Sequence, residues 1–187
     1  MQNILITSKG SISSVGHESD AIWEQYQSDE SALSICCFNN QDTPTGKLPN
    51  ASEQEIKSLR KEQLPYRRLD KSVLLALWAG RKAVLEAGWT DLRNTGINIG
   101  SSRGATQLFE KYHQHFVETP EKRMSPLVSP TTTLGNISSW LAYDLGTEGT
   151  TLSHSITCST ALHGVLNACA WLNSGMANQF LAGGAEA

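Results

Sequence analysis

The sequence predicts an α/β domain in which helices are layered on a largely parallel sheet. Three observations predict it. Short apolar runs alternate with segments of helical period along the chain. One helical segment, "DKSVLLALWAGRKAVLEAG", is apolar around so much of its circumference that it belongs between layers rather than on a surface. At 187 residues the chain is long enough for one ordinary core and marginal for two.

The elements follow in order. "NILIT" (3–7), closed by Ser8, Lys9 and Gly10, suits a buried strand. "SDAIWEQYQS" reads as a helix capped by Ser19 or Asp20, with Ile22, Trp23 and Tyr26 on one face. Pro44, Gly46 and Pro49 make 39–54 a loop. Asp70 can cap the apolar helix and Gly88 can end it. "TGINIGSSRGA" (95–105) is a strand breaking into a Gly/Ser turn, and "TQLFEKYHQHF" is the helix after it. "TTTLGNISSWLAYDLG" places Leu134, Ile137, Leu141 and Leu145 at helical spacing, with Gly146 at its end. "TTLSHSI" (150–156) is a β-rich run leading to Cys158. The helix from Ser159 is expected to bury Leu162, Val165, Leu166, Cys169 and Leu172, stopping at Gly175, and "QFLAGG" (179–184) is the next strand.

Composition excludes some functions. The formal net charge is −3 with 39% hydrophobic and 18% charged residues, so no global field attracts nucleic acid or an anionic membrane, and any basic docking surface is local. No apolar run approaches the ~20 residues of a membrane span, and "MQNILITSKG" shows no secretory leader. The four cysteines, Cys36, Cys37, Cys158 and Cys169, lack metal-ligand spacing, which is the pattern of free thiols in a cytoplasmic protein. No metal or cofactor is expected.

Cys158 is the candidate nucleophile. A strand-to-helix turn lifts a side chain off the sheet and sets it beside the unpaired N–H groups of the helix start, which favour negative charge. Those amides, the N–H of Cys158 included, can receive the oxyanion formed when sulfur attacks a thioester carbonyl. Thr157, Ser159, Thr160 and Ala161 are small enough to leave room for an acyl group. The alternative is a thiol packed in the core, the role expected of Cys169, Cys36 and Cys37.

"SITCSTALHGVLNACAWLNSGMANQFLAGGAEA" resembles the active-site region of the β-ketoacyl synthases, condensing enzymes of the thiolase superfamily. In that family a cysteine followed by small or hydroxyl residues opens a long helix, and a strand ending in "GGAE" follows at this spacing. "SPLVSPTTTLGNISSWLAYDLGTEGT", with Pro130, Gly146 and Gly149, is similar to the segment before the cysteine. "RRLDKSVLLALWAGRKAVLEAGW" looks like an early helix of the family, and "INIGSSRGA" like its Gly-rich turn. Two departures stand out: Thr150 replaces the usual Pro, and "GSSRGA" has fewer glycines.

The resemblance implies a thiolase-like α-β-α-β-α fold built from two similar halves. Residues 1–187 would be the first half, with the second lying beyond Ala187 in a longer enzyme or on the partner chain of a naturally split one. It implies an acyl-enzyme on Cys158, joined to a malonyl unit with decarboxylation, in fatty-acid or polyketide synthesis. Substrates would arrive on the phosphopantetheine of an acyl carrier protein. The histidines, or His and Asn, that stabilise the enolate belong to the second half; a structural or interface role is expected of His154 and His163, while His113 and His115 read as solvated or packed. By the same resemblance Phe109, Leu127 and Val128 would line the acyl pocket. Arg67, Arg68, Lys122 and Arg123 would dock the acidic carrier protein. Strand 150–156 would pair across a homodimer, or across a heterodimer with a chain-length-factor-like subunit. Other readings stay open: a thiolase-superfamily enzyme acting on acyl-CoA, a noncatalytic partner of a ketosynthase (though such partners typically lack the cysteine), and a Cys/His hydrolase for which no histidine is placed as base.

Overall fold

A computed structural model describes residues 3–187. Its centre is a parallel sheet of order β4-β3-β5, formed by Thr151–Leu152, Thr95–Gly100 and Gln179–Gly184. β3 and β5 run in register from Thr95 opposite Gln179 to Gly100 opposite Gly184, while β4 adds only the pairs of Ile97 with Thr151 and Asn98 with Leu152. Every residue of β3 is buried, as a central strand covered on both faces must be.

Residues alternate across β3 and set what covers each face. Ile97 and Ile99 join a core with Val73, Leu74 and Leu77 of α3 (Lys71–Ala87) and Ile137 and Leu141 of α6 (Asn136–Leu145). The ends of α3 are as expected: the Asp70 carboxylate accepts from the Ser72 N–H at 2.9 Å, and Gly88 takes φ 65°. Gly146 closes α6 at the same φ of 65°. At one corner of this core the Asp144 carboxylate, 2% exposed, accepts a bidentate pair of bonds from Arg81 at 2.7 and 2.8 Å. Arg81 also reaches Glu62 at 2.7 Å, and the buried Tyr66 donates its hydroxyl to Asp144.

The opposite face of the sheet carries α7 (Thr160–Asn173), and its packing departs from the expected apolar stripe. The residues facing the sheet are Thr160, Gly164 and Ala168, spaced one turn apart. A Cβ on Gly164 would lie 3.0 Å from the Asn98 carbonyl oxygen, so glycine lets the helix ride directly on the backbone of β3. Leu162 and Leu166 therefore point outward, at 73% and 63% exposure, and Val165, Cys169 and Leu172 line the rim of a groove beside β5. A helix that is apolar all round offers two possible faces, and close approach selects the small one.

Four other expectations change. Residues 3–7 form no strand: Ser8 donates to the Ala83 carbonyl at 2.7 Å, Gly10 rests on α3, and a groove of about 730 Å³ separates this segment from β5. The helix α1 (Ser19–Gln27) has Glu18 at its N-cap, without a side-chain cap, and buries none of its residues. The expected loop 39–54 contains β2 (Gln41–Thr45), paired with β1 (Ser34–Phe38), and the start of α2 (Asn50–Glu62). Asn39 and Asn40, at φ 50° and 61°, make the two-residue turn of that hairpin. Finally, the strand expected over 150–156 shrinks to Thr151–Leu152; the chain stays beside β3 as far as His154, whose carbonyl accepts from the Ser101 N–H at 3.4 Å, and then enters the turn at Cys158. Among the described residues no helix is long and apolar enough to cross a membrane.

Candidate active site around Cys158

Cys158 is exposed and stands in a 3-10 turn, Thr157–Ser159, immediately before α7. This is the elbow expected from the sequence, and the sulfur is not sealed among packed side chains. Thr157 sits at φ 47°, the left-handed region that a β-branched residue rarely enters. Such a conformation costs about 1–3 kcal/mol and persists where its surroundings fix it.

Thr160 does much of that fixing. Its hydroxyl accepts from the Ile156 N–H at 2.9 Å and donates to the Thr157 carbonyl at 2.6 Å. The Ser159 N–H closes the turn on the Ile156 carbonyl at 3.3 Å. Gly100 completes the fit from the sheet, since a Cβ there would lie 2.0 Å from Cγ2 of Thr160. Ser159, the N-cap of α7, gives no side-chain cap, and the Cys158 N–H makes no hydrogen bond among the described residues. An uncapped helix start beside a free amide is a place where negative charge is received.

Beneath the elbow lies a polar layer that the sequence reading did not anticipate. Asn98 is fully buried on β3; its Oδ1 accepts from Asn167 at 2.9 Å and its Nδ2 donates to the Leu152 carbonyl at 3.0 Å. The same Nδ2 faces Nδ1 of His154 at 3.1 Å, and Nε2 of His154 lies 2.9 Å from the Thr160 carbonyl. His163 bonds the Ser159 carbonyl through Nδ1 at 3.1 Å, with its ring edge-on to His154. At the sheet's C-terminal end the Glu186 carboxylate accepts from Ser102, at both N–H and hydroxyl, and from the Ser101 hydroxyl at 3.2 Å. The Ser102 carbonyl in turn accepts from Ser155 at 2.9 Å, tying the Gly/Ser turn to the strand leading into Cys158. The polar Asn98 inside the apolar run "INI" was one available signal and the Glu186 of "GGAE" another; nothing local marked the bonds of Glu186 and Ser155 to the Ser101–Ser102 turn, which join distant segments.

The other candidate residues are dispersed. Phe109 is exposed on α4 (Thr106–Glu118), its ring stacked on His113 at 6.4 Å. Leu127 and Val128 are half-buried at the start of α5 (Val128–Thr132), which packs against α4. Leu134, just beyond α5, would meet a Cβ on Gly104 at 3.0 Å, so this lobe abuts the Gly/Ser turn. Arg67 and Arg68 are exposed in the turn Pro65–Arg68, and Lys122 and Arg123 are exposed after α4. His113 is exposed, and His115 bonds the Thr119 hydroxyl at 3.2 Å.

A family profile described as the N-terminal domain of β-ketoacyl synthase matches residues 1–187. The chain belongs to the β-ketoacyl synthase family. Within it, the chain is 29% identical to the chloroplastic 3-oxoacyl-[acyl-carrier-protein] synthase I of Arabidopsis thaliana, covering 100% of this chain and 41% of that protein. It is 27% identical to 3-oxoacyl-[acyl-carrier-protein] synthase 2 of Vibrio cholerae, covering 99% of this chain and 46% of that protein. The chain thus spans less than half the length of either relative. Among solved structures, the ishigamide ketosynthase/chain length factor superimposes with a TM-score of 0.81 at 21% identity, over 98% of this chain and 47% of that one. A β-ketoacyl synthase from Burkholderia phymatum gives 0.76 at 15% identity, over 97% of this chain and 46% of that one. At those identities the likeness establishes the fold, which is thiolase-like, as the sequence implied.

Proposed function

We propose that this chain carries the nucleophile of a β-ketoacyl-[acyl-carrier-protein] synthase. The observation that carries the reading is an exposed Cys158 on a strained elbow at the uncapped start of α7, in a chain of this family. In the proposed reaction the Cys158 thiolate attacks the thioester carbonyl of an acyl group on phosphopantetheine. The developing oxyanion is received by the Cys158 N–H, and losing one such donor typically costs roughly 3 kcal/mol of barrier. The tetrahedral adduct collapses, the carrier thiol leaves with a proton, and an acyl–sulfur bond remains on the enzyme. Malonyl thioester then loses CO₂, its carbanion attacks that acyl group, and the new carbon–carbon bond releases Cys158.

The enolate-stabilising histidines are assigned to chain beyond Ala187. His154 and His163 are engaged with the Thr160 and Ser159 carbonyls instead. The open Leu162 and Leu166 on α7 support a second layer covering this face. Phe109, Leu127 and Val128 are proposed to line the acyl pocket, and Arg67, Arg68, Lys122 and Arg123 to dock an acidic carrier protein. β4 lies at the sheet edge, where it is proposed to pair with a second copy or a chain-length-factor-like subunit. The ishigamide ketosynthase/chain length factor, by its name, includes such a partner. A reducing, cytoplasmic compartment suits the four free thiols.

The test is incubation with acyl- and malonyl-carrier protein. Residues 1–187 alone should take up acyl groups slowly and form no ketone, while the complete protein forms ketone and its Cys158→Ala variant forms none. Rapid ketone formation by residues 1–187, or an active Cys158→Ala protein, contradicts the proposal.

A further inference from the structure

We infer that His154 is a positioning residue for Cys158, acting as a neutral imidazole that ties the start of α7 to the sheet. The inference rests on reading Cys158 as the nucleophile. Each partner in a chain of hydrogen bonds from Leu152 to Thr160 fixes the next. The Leu152 carbonyl can only accept, so the Asn98 atom 3.0 Å away is Nδ2 and not oxygen. Asn98 Oδ1 is then the atom that receives the Asn167 amide at 2.9 Å. Nδ2 of Asn98 also faces Nδ1 of His154 at 3.1 Å, so Nδ1 is an acceptor and carries no proton. The proton of the neutral ring is therefore on Nε2, where it is donated to the Thr160 carbonyl at 2.9 Å.

Thr160 is also the residue whose hydroxyl joins Ile156 to Thr157 across the elbow. His154 thus holds the main chain of the residue that holds the left-handed Thr157, and Cys158 follows directly. A buried asparagine side chain with all three of these partners satisfied is rigid, so the imidazole is aimed rather than free to rotate. His154 touches no reacting atom; it acts through Thr160 on where the sulfur and the Cys158 N–H stand.

Two substitutions separate this role from general packing, because each preserves one half of the imidazole. In His154→Gln the amide nitrogen occupies the level of Nε2 and keeps the donor to Thr160. In His154→Asn the amide oxygen occupies the level of Nδ1 and keeps the acceptor for Asn98 but removes the side-chain donor to the Thr160 carbonyl, so that the tie from the sheet to α7 is lost. In the complete protein, the rate of acyl transfer to Cys158 from saturating acyl-carrier protein is measured beside its KM, the rate of Cys158 alkylation by iodoacetamide, and Tm. His154→Asn should lower both rates by at least ~10-fold with KM little changed, since misplacement by about 1 Å can cost ~100-fold. His154→Gln should stay within about threefold of the parent, the two variants melting within a few degrees of one another.

Equal losses in both variants, or losses that follow Tm, would overturn the inference, as would an Asn variant with parental rates. If the parent protein accepts no acyl group yet alkylation still ranks Gln above Asn, the ketosynthase reading fails and the positioning role stands. If the parent acylates normally and the Asn variant matches it, the reverse holds.

Discussion

Gly100→Ala tests how tightly the sheet and the elbow are fitted. The added Cβ would lie 2.0 Å from Cγ2 of Thr160 and 3.0 Å from the His154 carbonyl oxygen. The first contact is about 1.4 Å short of the 3.4 Å at which ordinary van der Waals contact begins. β3 is buried on both faces and cannot yield, so the first turn of α7 must lift, carrying Cys158 with it. Overpacking of this kind costs about 1–3 kcal/mol, and about 2–4 °C of Tm accompanies each kcal/mol in a domain of this size. The chemical effect should be larger, because a shift on the order of 1 Å can cost ~100-fold in a positioned reaction. Stopped acyl-loading assays on the complete protein therefore should show a deeper loss than melting does. Thr160→Ser removes Cγ2 while keeping the hydroxyl that bonds Ile156 and Thr157, so the double variant should recover most of the rate. A Gly100→Ala protein that loads at the parental rate, or a double variant no better than the single, refutes the fit as the cause.

Other outcomes follow from contacts elsewhere in the molecule. Asp144→Ala leaves Arg81 and Tyr66 without their shared carboxylate and should destabilise by about 3–5 kcal/mol, discounted toward the lower figure because Arg81 is 35% exposed; thermal melting with Glu62→Ala as the mild control checks it. Burial, reinforced by the Asp144 carboxylate, pushes the Tyr66 phenol well above the ordinary tyrosine range. Its raised value adds stability that is present below the ordinary tyrosine pKa and is lost as pH rises through the folded one; ultraviolet titration should find Tyr66 ionising only with alkaline unfolding, and Tyr66→Phe should flatten that limb. Thr157→Gly should relieve the left-handed backbone and hold or raise Tm, while loosening the elbow enough to slow acyl loading; a lower Tm with an unchanged rate would contradict the strain. Reversing Arg67, Arg68, Lys122 and Arg123 to Glu should raise KM for acyl-carrier protein far more than for acyl-CoA, and equal effects would remove the docking assignment.

Much of this architecture is readable from local signals. Asp70 with Gly88 brackets the buried helix, Gly146 ends α6, and small residues around Cys158 at a strand-to-helix change mark the elbow. What the sequence hides is contact between distant segments. The outward Leu162 and Leu166 show that a doubly apolar helix does not declare its packing face, which here is chosen by Gly164 lying against the Asn98 backbone. Residues 3–7 have strand-forming composition but take no strand partner, since Ser8 and Gly10 dock on α3 instead. The polar layer of Asn98, His154 and Thr160 joins three elements and has no sequence spacing of its own. The residues proposed for the acyl pocket and for carrier docking sit on separate surface segments, where local pattern carries no geometry.

The central claim is that the sulfur of Cys158 takes up the acyl group, and direct mapping of that bond tests it. After reaction of the complete protein with acyl-carrier protein, trypsin releases a peptide that begins at Met124 and carries both Cys158 and Cys169. Fragment-ion spectra should place the acyl mass on Cys158 and leave Cys169 unmodified. An acyl group found on Cys169, or on neither cysteine while ketone product accumulates, would contradict the account.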